Sequence, residues 1–143
     1  MSEIMGHIYA DITLWNSFEV DLARTGRMEK DAVRKIDVSA LVDSGACMLT
    51  VDESIKTQLG LSVKDLREVE LANGSHCECE IVGPIELRFK NRRTICEALV
   101  LPGATEVLLG AIPLEGLDVL IDPISQQLVV HPKRPYVAGT KVK

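Results

Sequence analysis

The sequence predicts an all-β domain, closed or sandwiched, with almost no helix. Seven or more short stretches alternate between apolar and polar residues, and turn signals separate them at regular intervals. The chain of 143 residues has the size of one ordinary domain, and no internal repeat or linker divides it. Hydrophobic residues make up 46 % of the chain and aromatic residues only 3 %, so the core must consist of aliphatic side chains.

The first two strands are predicted to deliver a carboxylate. Residues 7–15 alternate between apolar and polar side chains, and residues 33–42 do so again and end at Asp43. We expect these segments to pair antiparallel. The polar connection from residue 16 to residue 30 contains Gly26 and is expected to be irregular.

The middle of the chain contains a short helix and a hairpin. Asp52 is a suitable N-cap and Gly60 a suitable end for a helix of one or two turns. Asn73-Gly74 lies between two extended runs, which predicts a hairpin with a two-residue turn. Gly83-Pro84 is expected to interrupt the following strand. Further strands are predicted at residues 85–89 and 94–101.

The last third of the chain begins with a nearly all-apolar strand, residues 106–110, which we expect to be buried on both faces. A short helix at residues 111–117 and a final hairpin, whose strands are residues 119–122 and 127–131, follow. Asp118 and Asp122 are interpreted as turn residues. The predicted division is a domain at residues 1–131 and a basic, loosely ordered tail at residues 132–143.

Asp43 is the candidate catalytic residue. It follows an apolar strand and precedes Ser44, whose hydroxyl can donate a hydrogen bond, and Gly45, which permits a sharp turn or a close approach. A carboxylate so placed can hold and polarise a water molecule. The same three residues are also typical of a plain turn after a strand, and only the second glycine-terminated strand, ending at Gly110, favours the functional interpretation.

Three segments together resemble the retropepsin-like aspartic peptidases, in particular the small prokaryotic, non-viral branch. The segments are residues 41–46, 71–75 and 107–110, in an order and at spacings that match the family. The resemblance spans roughly residues 6–131. It implies a closed acid-protease barrel with one or two short helices and a flap hairpin over the substrate. It also implies the catalytic residues Asp43, Ser44 and Gly45 and the substrate-binding residues Ala46, Leu71, Ala72, Asn73, Gly74, Leu109 and Gly110.

The chain contains a single Asp-Ser/Thr-Gly motif, whereas peptide hydrolysis by this chemistry needs two carboxylates. The second acid must therefore come from another copy, which predicts a homodimer with a two-fold axis between two Asp43 residues. The resemblance implies an extended peptide or protein as the substrate. Retroviral members usually carry an Asp and an Arg where this chain has Cys47 and Ala111, so the details of the dimer interface are expected to differ.

Composition excludes several partners. The net charge of −5 argues against nucleic acid, because phosphate binding needs a basic face. No apolar run is long enough to span a membrane, and the first six residues lack the features of a secretory signal. We therefore expect a cytoplasmic protein with no membrane contact and with reduced thiols. No cofactor and no metal are predicted.

Two alternatives to the homodimeric peptidase are open at this point. One is a non-catalytic dimer module of the same fold that binds extended peptides in its groove. The other is a thiol or zinc protein that uses Cys47 or the pair Cys77 and Cys79, although the cysteine spacing fits no standard zinc pattern. Buried structural thiols are the default expectation, and His76 is expected to be an exposed strand residue.

Overall fold

The computed structural model describes residues 7–142. Within this range the elements are β1 (Tyr9–Asn16), α1 (Ser17–Arg24), a 3₁₀ turn (Lys30–Ala32), β2 (Lys35–Val42), β3 (Leu49–Val51), α2 (Glu53–Leu59), β4 (Ser62–Glu70), β5 (His76–Phe89), β6 (Arg92–Val100), β7 (Val107–Leu109), α3 (Ala111–Leu117), β8 (Val119–Asp122) and β9 (Gln127–Val130). In the same range no helix is long and apolar enough to cross a membrane.

Six of the strands form a closed barrel in the order β1-β2-β7-β3-β6-β5, and β5 pairs with β1 to close it. β4 extends the sheet beyond β5, while β8 and β9 form a separate hairpin. The predicted closed all-β fold is confirmed, and so is the antiparallel pairing of β1 with β2. The described residues contain three short helices, one more than the sequence led us to expect.

The core inside the barrel is aliphatic, as the composition requires. Its fully buried side chains come from every strand of the barrel: Leu14, Ala40, Leu49, Leu87, Ala98 and Leu109. A second, smaller buried cluster lies against another part of the sheet and consists of Cys79, Ile81 and Leu99. The expectation that β7 is buried on both faces is only partly met, because Leu108 between Val107 and Leu109 is half-buried.

The connection after β1 is not irregular, contrary to the prediction, because residues 17–24 form helix α1. Asn16 caps this helix by accepting a hydrogen bond from the Glu19 backbone N–H at 3.0 Å, and its amide donates to the Leu59 carbonyl at 2.7 Å. Glu19 is buried and receives the Arg34 guanidinium, which lowers the pKa of its carboxyl group. The cap is local, but the contacts with Leu59 and Arg34 are to residues distant in sequence, which a local polar pattern does not reveal.

The hairpin between β4 and β5 differs from the prediction in two respects. The predicted break at Gly83-Pro84 is a bulge inside one 14-residue strand, not an end of that strand. The turn spans three residues, not two, because the backbone of Leu71 donates to the Ser75 carbonyl at 2.7 Å. Gly74 takes the left-handed conformation in this turn, with φ of +85°, an arrangement common in three-residue hairpin loops.

Helix α2 and the last hairpin agree with the sequence. The Asp52 side chain accepts from the Ile55 backbone N–H at 2.9 Å, and Gly60 ends the helix with φ of +64°. Asp122 accepts from the Ile124 backbone and the Ser125 hydroxyl, as expected of a turn residue. The predicted helix at residues 111–117 is α3.

The segment after β9 contains no helix or strand within the described residues. It nevertheless makes specific contacts: Arg134 donates two hydrogen bonds to the Asp118 carboxylate, at 2.6 and 2.9 Å, and the Gly139 backbone donates a third at 2.8 Å. Asn91 donates to the Pro135 carbonyl at 2.8 Å. The boundary at residue 131 stays a prediction. Residues 1–6 of the predicted domain and Lys143 of the predicted tail lie outside the described part of the chain.

Candidate active site

Asp43 is placed by two neighbouring parallel strands, β2 and β7. In their register Val42 lies beside Leu109, so the chain leaves both strands at the same edge of the barrel. The Asp43 backbone N–H donates to the Leu109 carbonyl at 3.0 Å, which extends the pairing by one residue. The carboxylate therefore starts from a backbone that the buried core holds in place.

The loop that follows folds back on the Asp43 carboxylate. The Gly45 backbone N–H donates to Asp43 Oδ1 at 3.0 Å, and the Ala46 N–H donates to the Asp43 carbonyl at 3.1 Å. The carbonyls of Ala46 and Cys47 accept from the first two residues of α3 at 2.8 and 3.0 Å. Asp43 is half-buried, whereas Ser44 and Gly45 are exposed.

Gly110 lies directly behind this loop. Glycine is needed here because there is no space for a side chain. A Cβ at this position would lie 2.4 Å from the Met48 carbonyl oxygen and 2.8 Å from that of Ala46. Its φ of −87° is open to any residue, so conformational freedom is not the reason. A side chain at residue 110 would push the Asp43 loop outwards.

A cleft of about 630 Å³ opens beside Asp43. One wall is the Asp43 loop, and the other is the end of the hairpin formed by β4 and β5. The floor between them is apolar and consists of Met48, Leu99, Leu101 and Leu108. An extended peptide fits such a cleft, because its backbone can pair with strand edges while alternate side chains enter apolar pockets.

The predicted substrate-binding residues fall into three groups. Ala46, Leu71 and Ala72 line the cleft. Asn73 and Gly74 form the exposed tip of the hairpin, where the Asn73 side chain accepts from the Ser75 backbone at 2.9 Å. Leu109 and Gly110 are buried behind the loop, and Leu108 occupies the cleft side of β7 in their place.

Sequence reasoning missed most of the cleft floor and the charged side chains opposite Asp43. Arg67, Glu68 and Glu70 of β4 line the cleft. The period of two along β7 was a usable signal for Leu108, because neighbours in a strand face opposite sides. No local signal marks Met48 or Leu101, which reach the cleft only because β3 and β6 pair with each other.

Of the remaining candidate groups, Cys47 lines the same cleft as Asp43, whereas His76 and the other three cysteines are not part of its lining. His76 is exposed on β5, as expected, and Cys96 is mostly buried, which raises the pKa of its thiol to about 12. Cys47 is exposed, contrary to the expectation of buried thiols. Among residues 7–142 no three His, Cys, Asp or Glu side chains are grouped in a way that could hold a metal ion.

A closed six-stranded barrel that presents an Asp-Ser-Gly loop beside a hairpin is the retropepsin-like architecture. The chain belongs to the aspartyl protease family, whose sequence profile matches residues 31–112, more than half of its length. Its structure is similar to the crystal structure of the retroviral protease-like domain of Ddi1 from Leishmania major. The TM-score is 0.57 at 17 % sequence identity, over 90 % of this chain and 91 % of that chain. That likeness shows the fold. No curated protein matches the sequence.

Proposed function

We propose that this protein is an aspartic endopeptidase whose active site forms from Asp43 of each of two identical subunits. The observation that carries the proposal is the position of the Asp43 carboxylate, on a loop fixed from behind and at the wall of a cleft with an apolar floor. Membership of the aspartyl protease family supports the same assignment.

Peptide hydrolysis is slow because water is a poor nucleophile and the amine is a poor leaving group. Two carboxylates in contact overcome both difficulties. Because like charges cannot both ionise easily at short range, the pair keeps one proton. The ionised member takes a proton from the attacking water, and the protonated member donates to the carbonyl oxygen as negative charge develops there. The member that took the proton from water can then pass it to the leaving amine, while the other member takes back the proton on the former carbonyl oxygen as the C–N bond breaks.

A second subunit is the proposed source of the second carboxylate. Ser44 and Gly45 are exposed next to Asp43, which leaves this edge of the loop free to meet its own copy across a two-fold axis. Glu68 and Glu70 line the same cleft within one chain and are the competing acids that an experiment must exclude. A cytoplasmic location is part of the proposal, and the four free cysteines are compatible with it.

Asp43→Asn tests the catalytic assignment, with Glu68→Gln and Glu70→Gln as matched controls from the same cleft. Cleavage of an unfolded protein, measured between acid and neutral pH, is expected to fall by roughly 10³-fold or more in Asp43→Asn, since the water loses its base. The two glutamine variants should retain cleavage within about tenfold. Undiminished cleavage by Asp43→Asn would remove this residue from the mechanism.

Mixed dimers test the shared site. When wild type and Asp43→Asn are mixed in equal amounts and allowed to exchange subunits, about one quarter of the dimers contain two intact chains. Cleavage should then fall to about one quarter of the wild-type rate, whereas an active site built within one chain gives about one half. A wild-type protein that binds extended peptides in this cleft but cleaves none would support the non-catalytic binding module instead.

A further inference from the structure

Two thiols converge on the same face of β5 near the cleft. Cys77 and Cys79 are two residues apart in the strand, so both side chains leave the same face, and their Sγ atoms lie 3.3 Å apart. Both cysteines are free; Cys79 is buried and Cys77 half-buried. The proposed peptidase chemistry uses neither of them.

A direct bond between these two sulfurs fits the strand poorly. Residues two apart in an extended strand have Cα atoms separated by roughly 6.6 Å, at the outer limit for a disulfide. A bridging ion fits better, because two thiolates on one three-coordinate metal, each about 2.3 Å from it, lie roughly 4 Å apart. Small rotations of the two side chains from 3.3 Å reach that separation.

A third sulfur belongs to the same cluster. Met48 packs against the buried group formed by Cys79, Ile81 and Leu99, together with Cys77. The other members of this group are apolar, and within residues 7–142 no set of three His, Cys, Asp or Glu side chains gathers around a possible ion. The side chains that pack in this cluster offer two thiols and one thioether as ligands, and Arg67, which pairs with Cys79 across β4, is a cation and cannot bind a metal ion.

We propose that Cys77, Cys79 and Met48 form a binding site for a soft monovalent cation of low coordination number, with Cu(I) as its biological representative. Thiolate and thioether ligands select Cu(I) over harder ions. Binding replaces two thiol protons with one copper ion, so two protons are released and no electron is transferred. The site adds to the proposed peptidase function and does not depend on it.

The test is an anaerobic titration of the reduced full-length protein with Cu(I) in competition with a chromophoric chelator. We expect one Cu(I) per chain for the wild type. Cys77→Ser should lower the affinity by about 100-fold or more and Met48→Leu by about tenfold, since each removes one sulfur ligand. Cys47→Ser and Cys96→Ala, which remove the thiols outside the cluster, should bind like the wild type.

X-ray absorption at the copper edge gives a second measurement on the same samples. Three sulfur neighbours are expected in the wild type and two in Met48→Leu. Circular dichroism of each apo variant checks that the fold is retained, and half-buried Cys77 is suited to such a change. Equal affinity in Cys77→Ser and wild type, or an equal loss in Cys47→Ser, would overturn the proposal.

Discussion

The two turns that border the cleft both contain a glycine, yet the contacts that hold them come from different parts of the molecule. The Asp43 loop is braced from behind by Gly110, by a hydrogen bond that Asp43 donates to Leu109 of β7, and by hydrogen bonds that it accepts from the start of α3; Leu109 is fully buried. The hairpin tip is held by contacts within residues 71–75, chiefly the hydrogen bonds that the Asn73 side chain accepts from Ser75. The conformation of the Asp43 loop therefore depends on contacts with the barrel, whereas that of the hairpin tip depends mainly on contacts within the turn.

This difference suits the proposed peptidase function. A carboxylate that activates water must keep its geometry, so it benefits from a loop that moves only when the core moves. A hairpin that admits and releases a peptide must open, and local hydrogen bonds allow it to do so without unfolding the barrel. Substitutions that disturb the two turns should therefore differ in how much stability they cost.

Gly110→Ala is expected to have the largest effect on stability. The added Cβ meets backbone oxygens at 2.4 and 2.8 Å, which cannot rotate away as a side chain can. We expect a loss of about 3 kcal/mol in the free energy of unfolding, measured by chemical denaturation, together with loss of cleavage. A stable, fully active Gly110→Ala protein would show that the barrel does not fix the loop.

Gly74→Ala is the matched change in the hairpin. Nothing lies within 4 Å of the position that a Cβ would take, so the only cost is the φ of +85°. That cost should be about 1 kcal/mol, and Gly74→Asn should cost less because Asn adopts the left-handed conformation more readily. Equal destabilisation by Ala and Asn in the same denaturation experiment would point to a steric cause instead.

The smallest expected effect concerns the ion pair between Asp118 and Arg134, which lies outside both turns. It measures how protonation of Asp118, a residue outside the candidate site, affects stability in acid. Hydrogen bonds from Arg134, then from the Gly139 backbone, hold the pKa of the Asp118 carboxyl well below its usual range. Its stabilising contribution is therefore present above the unfolded pKa of about 4 and is lost as the pH falls through the folded value.

The comparison of wild type with Asp118→Asn measures this contribution. The difference in melting temperature should be constant above about pH 5 and shrink below about pH 4. Arg134→Met should show the same dependence, because it removes the other half of the pair. A difference that does not change with pH would show that the tail is not held by this ion pair.

Much of the fold could be predicted from the sequence because helix caps and strand alternation are local patterns. The caps Asp52 and Gly60 marked α2, and alternating residues marked β1 and β2. Asn73-Gly74 located the hairpin correctly but gave the wrong turn length, since a three-residue loop uses the same residue types. Helix α1 was missed although Asn16 caps it locally, because its other supports, Leu59 and Arg34, are distant in sequence.

By itself, the sequence determined which residue is the candidate acid and that one chain carries a single Asp-Ser-Gly motif, because motif and strand pattern depend on neighbours along the chain. Only the tertiary structure decided what surrounds that acid. The pairing of β2 with β7 brings Gly110 behind the Asp43 loop, and the pairing of β3 with β6 helps bring Met48 and Leu101 to the cleft floor. The physical reason is that close packing and burial are properties of residues brought together by the fold, whereas caps and alternation act over a few residues.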